Sequence, residues 1–138
     1  MRPREEQMKY VKYIGHIINE PGPRGTIDID RTITRVQEGW NDYNLDLRLD
    51  LANHSPTGFC WGYGGSGPAQ TALAILADYF GDDQTALRLY QQFKSLVIAA
   101  LPMDQDFELT GEQINNAILA IYARVEKNII QNQSRDMV

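Results

Sequence analysis

Between Ala52 and Gln70 the chain reads ANHSPTGFCWGYGGSGPAQ, with five glycines, two prolines and three aromatics in nineteen residues. No regular element tolerates that density of backbone punctuation. Glycine adds to the entropy lost on ordering, and proline fixes φ and removes a donor. The segment therefore divides the chain into two stretches, each to be read by its own periodicity.

The stretch before it has a period of two. Lys9 to Ile18, rich in Tyr, Val and Ile, reads as a strand, and Glu20-Pro21-Gly22-Pro23-Arg24-Gly25 as the turn that ends it. Thr26 to Ile33 alternates, with Ile27, Ile29 and Ile33 on one side and Asp28 and Asp30 on the other, which predicts a half-buried antiparallel partner. Val36 to Asn44 reads as a surface loop with aromatic anchors. Leu45 to Leu51 alternates leucine with Asp46, Arg48 and Asp50, and predicts a third strand. A short strand is open at Phe59 to Tyr63.

The stretch after it has a helical period. Pro68 suits a first helical turn, with Ser66 or Gly67 as cap; Leu73, Leu76, Ala77 and Phe80 form the stripe and Gly81 the stop. Asp82 or Asp83 caps a second helix carrying Leu87, Tyr90, Phe93, Val97, Ala100 and Leu101, which Pro102 ends. Thr110-Gly111-Glu112-Gln113 is a capping box opening a third helix with Ile114, Ile118, Ile121, Val125 and Ile129 on one face. Strands first and helices later predict an α+β fold: a small antiparallel sheet of three to four strands followed by two or three packed helices. Residues 8–131 are expected to form one domain, between a flexible start (1–7) and a flexible polar tail (132–138). The 138 residues suit that size.

Composition narrows the function. The net charge of −5 argues against wrapping extended nucleic acid, which needs clustered Lys and Arg. It does not oppose a small anion in a locally positive pocket. The apolar runs fall far short of a membrane span, and MRPREEQMKY lacks the apolar core of a signal peptide, so a cytoplasmic protein with no membrane partner is expected. The lone Cys60 excludes an internal disulfide framework, and a half-buried structural thiol is its commoner role. No cofactor and no metal are expected: His16 and His54 lack metal-ligand spacing. Adjacent His54 and Ser55 are poorly placed to activate one another, so no catalytic set emerges.

A glycine-rich run leading straight into a helix start is the chemically suggestive feature. Unpaired N–H groups and the helix dipole there favour phosphate or carboxylate, and Gly64, Gly65 and Gly67 let a ligand approach the backbone closely. The string lacks the lysine of a phosphate loop and the rest of a dinucleotide-binding unit. Asn53, His54, Ser55, Ser66 and Gln70 add polar groups, and Arg48 can meet a phosphate or an aspartate. Phe59, Trp61 and Tyr63 are either core or a platform for a base. The structural alternative is that these glycines only make a tight connection beneath packed rings.

These same residues carry a resemblance. The leucine-rich stretch from Leu45, then NHSPTGF, WGYGGSGPAQ, ALAILAD and GDD…ALRLYQQFK, through Leu101, resembles a family of uncharacterised small domains scattered through bacteria, archaea, phages and mobile elements. Against that family's pattern Cys60 replaces a more polar residue, and Thr34 to Asn44 looks like an insertion. The resemblance implies no catalytic residues. Its phage-linked distribution implies an anti-defence setting, in which small proteins bind nucleotide second messengers without cleaving them.

Two readings lead. One is a non-enzymatic module binding a small phosphate-bearing ligand, with Arg48, His54, Ser66 and the amides around Gly65 to Ala69 on the phosphate, and Trp61 or Tyr63 on a base. The other is a protein-interaction module, an inhibitor or adaptor acting on a host protein, in which Trp40 and Tyr43 or a helix face make contact; an exposed Trp40 favours it. An enzyme acting on a nucleotide or glycoside is a third, weaker reading, and homo-oligomerisation is open.

Overall fold

A computed structural model describes residues 10–136; the flexible start expected at 1–7 lies outside the described residues. The chain forms β1 (Val11–Pro21), β2 (Ile27–Gln37), β3 (Tyr43–Asn44), α1 (Ser66–Phe80), α2 (Asp83–Leu96), β4 (Phe107–Thr110) and α3 (Gly111–Asp136). The four strands form one antiparallel sheet of order β3-β2-β1-β4, so the fold is α+β.

β1 and β2 form a long hairpin paired from Val11↔Gln37 to Pro21↔Ile27. Alternation turns Val11, Tyr13, Gly15 and Ile33 to one face, where they are buried. The helices cover only the near half of that ribbon. Ile27 and Ile29 keep the core-facing parity but stand 68% and 63% exposed on the far half, against the half-buried strand their spacing predicts. β2 also runs on to Gln37, and Tyr43–Asn44 pairs back onto it, so much of the expected surface loop and insertion is a second, short hairpin.

The third strand expected at Leu45–Leu51 does not form. Leu45 N–H reaches Ile33 O (2.8 Å), and then the chain leaves the sheet. Asp46 Oδ1 accepts the Arg48 N–H (2.8 Å), Arg48 adopts φ 58°, and Leu51 N–H closes a turn on Arg48 O (3.0 Å). A local side chain–backbone bond thus competes with the ladder, which is a known habit of aspartate. No strand forms at Phe59–Tyr63 either. The sequence reading missed β4, four residues that pair Phe107–Thr110 with Lys12–Gly15.

The central element is α1, in which twelve of fifteen residues are buried, so it packs on all sides and not along a single stripe. Gly81 ends it at φ 63°, and the Asp82 side chain caps α2 through the Gln84 N–H (3.1 Å). Helix α2 stops at Leu96, short of the expected Pro102, because the chain tightens into a 3-10 turn over Ile98–Ala100. The capping box at α3 is reciprocal: Gln113 N–H donates to Thr110 Oγ1 (3.1 Å), and Thr110 N–H to Gln113 Oε1 (2.9 Å). Helix α3 continues to Asp136, past the tail expected from Asn132; its Val125 and Ile129 are exposed, while Ile114, Ile118 and Ile121 pack inward. No described helix is long and apolar enough to cross a membrane.

Sheet and helices are latched at one carboxylate. Asp78 on α1 accepts from Tyr13 Oη (2.6 Å), Tyr43 Oη (2.5 Å) and Arg35 Nη1 (2.8 Å), one donor from each of three strands. At the other side of β1, Gly15 faces Phe107, and a Cβ on it would stand 2.1 Å from the ring. Gly15→Ala is therefore expected to cost about 1–3 kcal/mol by overpacking, read as a lower urea midpoint with an unchanged slope.

Candidate functional site

The glycine-rich segment is held from beneath by two buried polar side chains of α1. Gln70 Oε1 accepts the N–H groups of His54 (2.8 Å) and Ser55 (3.1 Å), while its Nε2 donates to Leu47 O (2.5 Å) and Ala52 O (3.0 Å). Every polar direction of this amide is used, and the residue is 0% exposed. Thr71 Oγ1 accepts the Cys60 N–H (3.2 Å) and shares its proton between Cys60 O (2.7 Å) and Gly67 O (3.1 Å). Gln70, taken from the sequence as a ligand contact, is a strut that shapes two loops.

The expected aromatic trio is split. Trp61 is fully buried, donates from Nε1 to Gln105 O (2.9 Å) and meets Phe107 edge-on at 4.7 Å. Phe59 is buried too, and only Tyr63 reaches the surface, 43% exposed. No shared platform for a base exists. Gly62 lets the chain pass Met103 at φ 91°, where a Cβ would come within 2.5 Å of Met103 Cα. Gly67 is buried against Cys60, with the Tyr63 hydroxyl over it. These glycines serve packing.

The other predicted groups are mostly engaged. Arg48 bonds Asp50 (Nε–Oδ1 3.0 Å) and Asp83 (Nη2–Oδ2 3.0 Å); bonds from these two carboxylates raise its pKa further. Its commoner fate, a salt bridge, is the one observed. His54 Nε2 lies 2.8 Å from Tyr90 Oη on α2, and Ser55 Oγ donates to Gly58 O (2.7 Å), so they form no nucleophile–base pair. Asn53, Gly64 and Ser66 are exposed, Gly65 is half-buried and precedes α1 as a cap without a side chain, and Pro68 removes one amide from the helix start.

A slot of about 260 Å³ does open beside this segment, between the edge of β2 and residues 55–60. Of the predicted residues it gathers Ser55, Phe59, Tyr63 and Gly67; it adds Thr57, Gly58 and Cys60 and, from β2, Ile29, Asp30 and Arg31. Arg31 is the residue the sequence reading missed. Its guanidinium lies 4.6 Å above the Trp61 ring, and its Nη1 is buried with no hydrogen-bond partner among the described residues. The available signal was parity: Arg31 shares the core-facing register of Ile29 and Ile33, where a charge is out of place. Burial raises the Tyr63 pKa, its bond with the Cys60 thiol adds to the rise, and the Arg31 charge opposes it. The slot thus holds a cation, a thiol and hydroxyls, with the Asp30 carboxylate as the one acidic group lining it among the described residues. That set can hold an oxyanion.

A sequence model for a family of unknown function (DUF6166) matches residues 25–120, which is most of the chain. The chain belongs to the DUF6166 family. The matched span begins just before β2 and ends within α3, so the DUF6166 region contains the slot, Arg31 and the Gln70 strut together. No curated protein and no solved structure matches the chain at a significant level.

Proposed function

We propose that this protein is a non-enzymatic binding module for a phosphate-bearing ligand, seated in the Arg31 slot and not at the start of α1. The observation that carries this reading is the buried Arg31 Nη1 without a hydrogen-bond partner among the described residues. A buried donor left unbonded costs about 1–3 kcal/mol, more when charged, and an oxyanion in the slot would remove that cost. Trp61 fixes the guanidinium from below, so little side-chain entropy remains to be lost on binding. Arg48, paired with Asp50 and Asp83, His54, bonded to Tyr90, and Gln70, whose amide is filled within the fold, take no part in this reading.

Arg31→Met tests this. Titration calorimetry with inorganic phosphate and pyrophosphate is expected to show saturable binding to the wild type, weakened roughly 10- to 100-fold in the variant. The variant's melting temperature without ligand should match or exceed the wild type's, because an uncompensated buried donor is gone. Equal binding by the two proteins would remove Arg31 from the site.

The protein-interaction reading has its own support. Trp40 is 69% exposed and borders an open groove of about 570 Å³ with Tyr10, Val36 and Thr110. An exposed tryptophan beside a groove is the kind of anchor that dominates interfaces. Trp40→Ala separates the two readings, since it should leave phosphate binding untouched.

A further inference from the structure

We propose that the ligand of the Arg31 slot is a phosphorylated peptide that docks in extended form along the open edge of β2. This rests on the oxyanion reading of the slot and names the rest of the ligand. β3 pairs with β2 only at Thr34 and Arg35, and Leu45 adds a single bond to Ile33. The register that aims Ile33 O at Leu45 aims the backbone groups of Arg31, Ile29 and Ile27 at the same side. Those of Ile29 and Ile27 make no hydrogen bond on that side among the described residues. An unpaired edge is a template for strand addition.

The side chains specify the strand. Ile27 and Ile29 lie exposed on the face that carries Arg31, so apolar residues fit opposite them. The other face carries Asp28 and Asp30, with Glu20 paired across from Asp28, and asks for lysine or arginine. Asp30 Oδ1 holds the Arg31 N–H (2.8 Å), which leaves Arg31 O and the backbone groups of Ile29 and Ile27 for the ladder. A second copy of this edge is a poor occupant: antiparallel self-pairing about Ile29 would set Asp28 against the partner's Asp30. A nucleotide has fewer partners here: Phe59 and Trp61 offer no accessible face for its base, which leaves the Tyr63 ring alone to stack on, whereas the β2 edge offers a peptide several backbone groups. An antiparallel strand with phosphoserine opposite Arg31 then reads phosphoserine-Lys-Val-Lys-Val.

The test is calorimetry on the full chain with five probes: that phosphopeptide, capped at both ends; its unphosphorylated form; the phosphopeptide N-methylated at its first valine; inorganic phosphate; and adenosine monophosphate. The phosphopeptide is expected to bind at least about tenfold tighter than either small phosphate, and to lose at least about tenfold without its phosphate or on N-methylation, which deletes the bond to Ile29 O. N-methylation alters only the probe, so no misfolded variant can mimic its effect. Phosphate binding that depends on Arg31, with a phosphopeptide no tighter or an N-methylated one as tight, overturns the strand proposal and leaves the oxyanion slot standing. Tighter binding of adenosine monophosphate overturns it in favour of a nucleotide. If no probe binds, the slot reading falls with it.

Discussion

Replacing Gln70 with leucine is expected to destabilise the fold by about 4 kcal/mol, a large share of the roughly 5–15 kcal/mol that holds a domain together. Leucine has nearly the volume of glutamine, so the loss is not one of packing. It strands the N–H groups of His54 and Ser55 and the carbonyls of Leu47 and Ala52 around a side chain that is 0% exposed. Each such group costs about 1–3 kcal/mol where water cannot reach it, and relaxation of the two loops recovers part of the sum. Gln70→Glu should rescue little, because a carboxylate cannot donate to Leu47 O and Ala52 O. Urea unfolding read by tryptophan fluorescence measures this, and a change under 1 kcal/mol would remove the strut from the account. Since the strut shapes residues 54 and 55 beside the slot, Gln70→Leu should also weaken phosphate binding under conditions where the protein remains folded.

The second large effect is expected at Asp78. Asp78→Ala leaves the Arg35 guanidinium and the Tyr13 and Tyr43 hydroxyls without their common acceptor; the Arg35 side chain is 20% exposed. Breaking a largely buried pair by removing one partner costs roughly 3–5 kcal/mol, and a double-mutant cycle with Arg35→Met separates the pair from the hydroxyls. The same latch gives an alkaline limit. Burial, followed by the Asp78 charge, raises the Tyr13 pKa well above its ordinary value of about 10, and burial raises that of Tyr43 as well. Above that ordinary value the unfolded chain gives up these protons while the folded chain keeps them. Stability is thus complete below pH 10 and declines as pH rises beyond it, by up to about 1.4 kcal/mol per pH unit for the buried Tyr13, with a smaller, solvent-screened share from the half-exposed Tyr43. Tyr13→Phe should flatten that decline.

The elements that were legible in the sequence are those whose signals are local. The alternation of β1 and β2, the reciprocal cap at Thr110 and Gln113, the left-handed stop at Gly81 and the Asp82 cap all follow from a residue and its near neighbours. Leu45–Leu51 shows the limit. Its alternation satisfies the strand pattern, yet Asp46 binds the Arg48 N–H and turns the chain away. Periodicity states what a strand would bury, not whether a side chain will outbid the ladder. The slot was hidden for another reason. Segment 53–70 was visible as unusual, but its partner, Arg31, comes from a strand more than twenty residues earlier and acquires its character from the ring of Trp61 beneath it. Of the glycines that read as room for a ligand, Gly67 is packed against Cys60 and Gly65 against the Tyr63 ring, while Gly64 has open space around it.

The placement of α1 divides the molecule by tolerance to change. Nearly every residue from Gly67 to Tyr79 touches core, so that helix has no spare face on which variants can accumulate. The groups that give the slot its chemistry come from the far half of the hairpin and from Ser55, Thr57, Cys60 and Tyr63, none of them fully buried. If the slot binds as proposed, substitutions at Ile27, Ile29 or Thr57 should therefore alter what is recognised at small thermodynamic cost. On the proposed binding role, a scaffold so arranged would let ligand preference change while the architecture stays fixed.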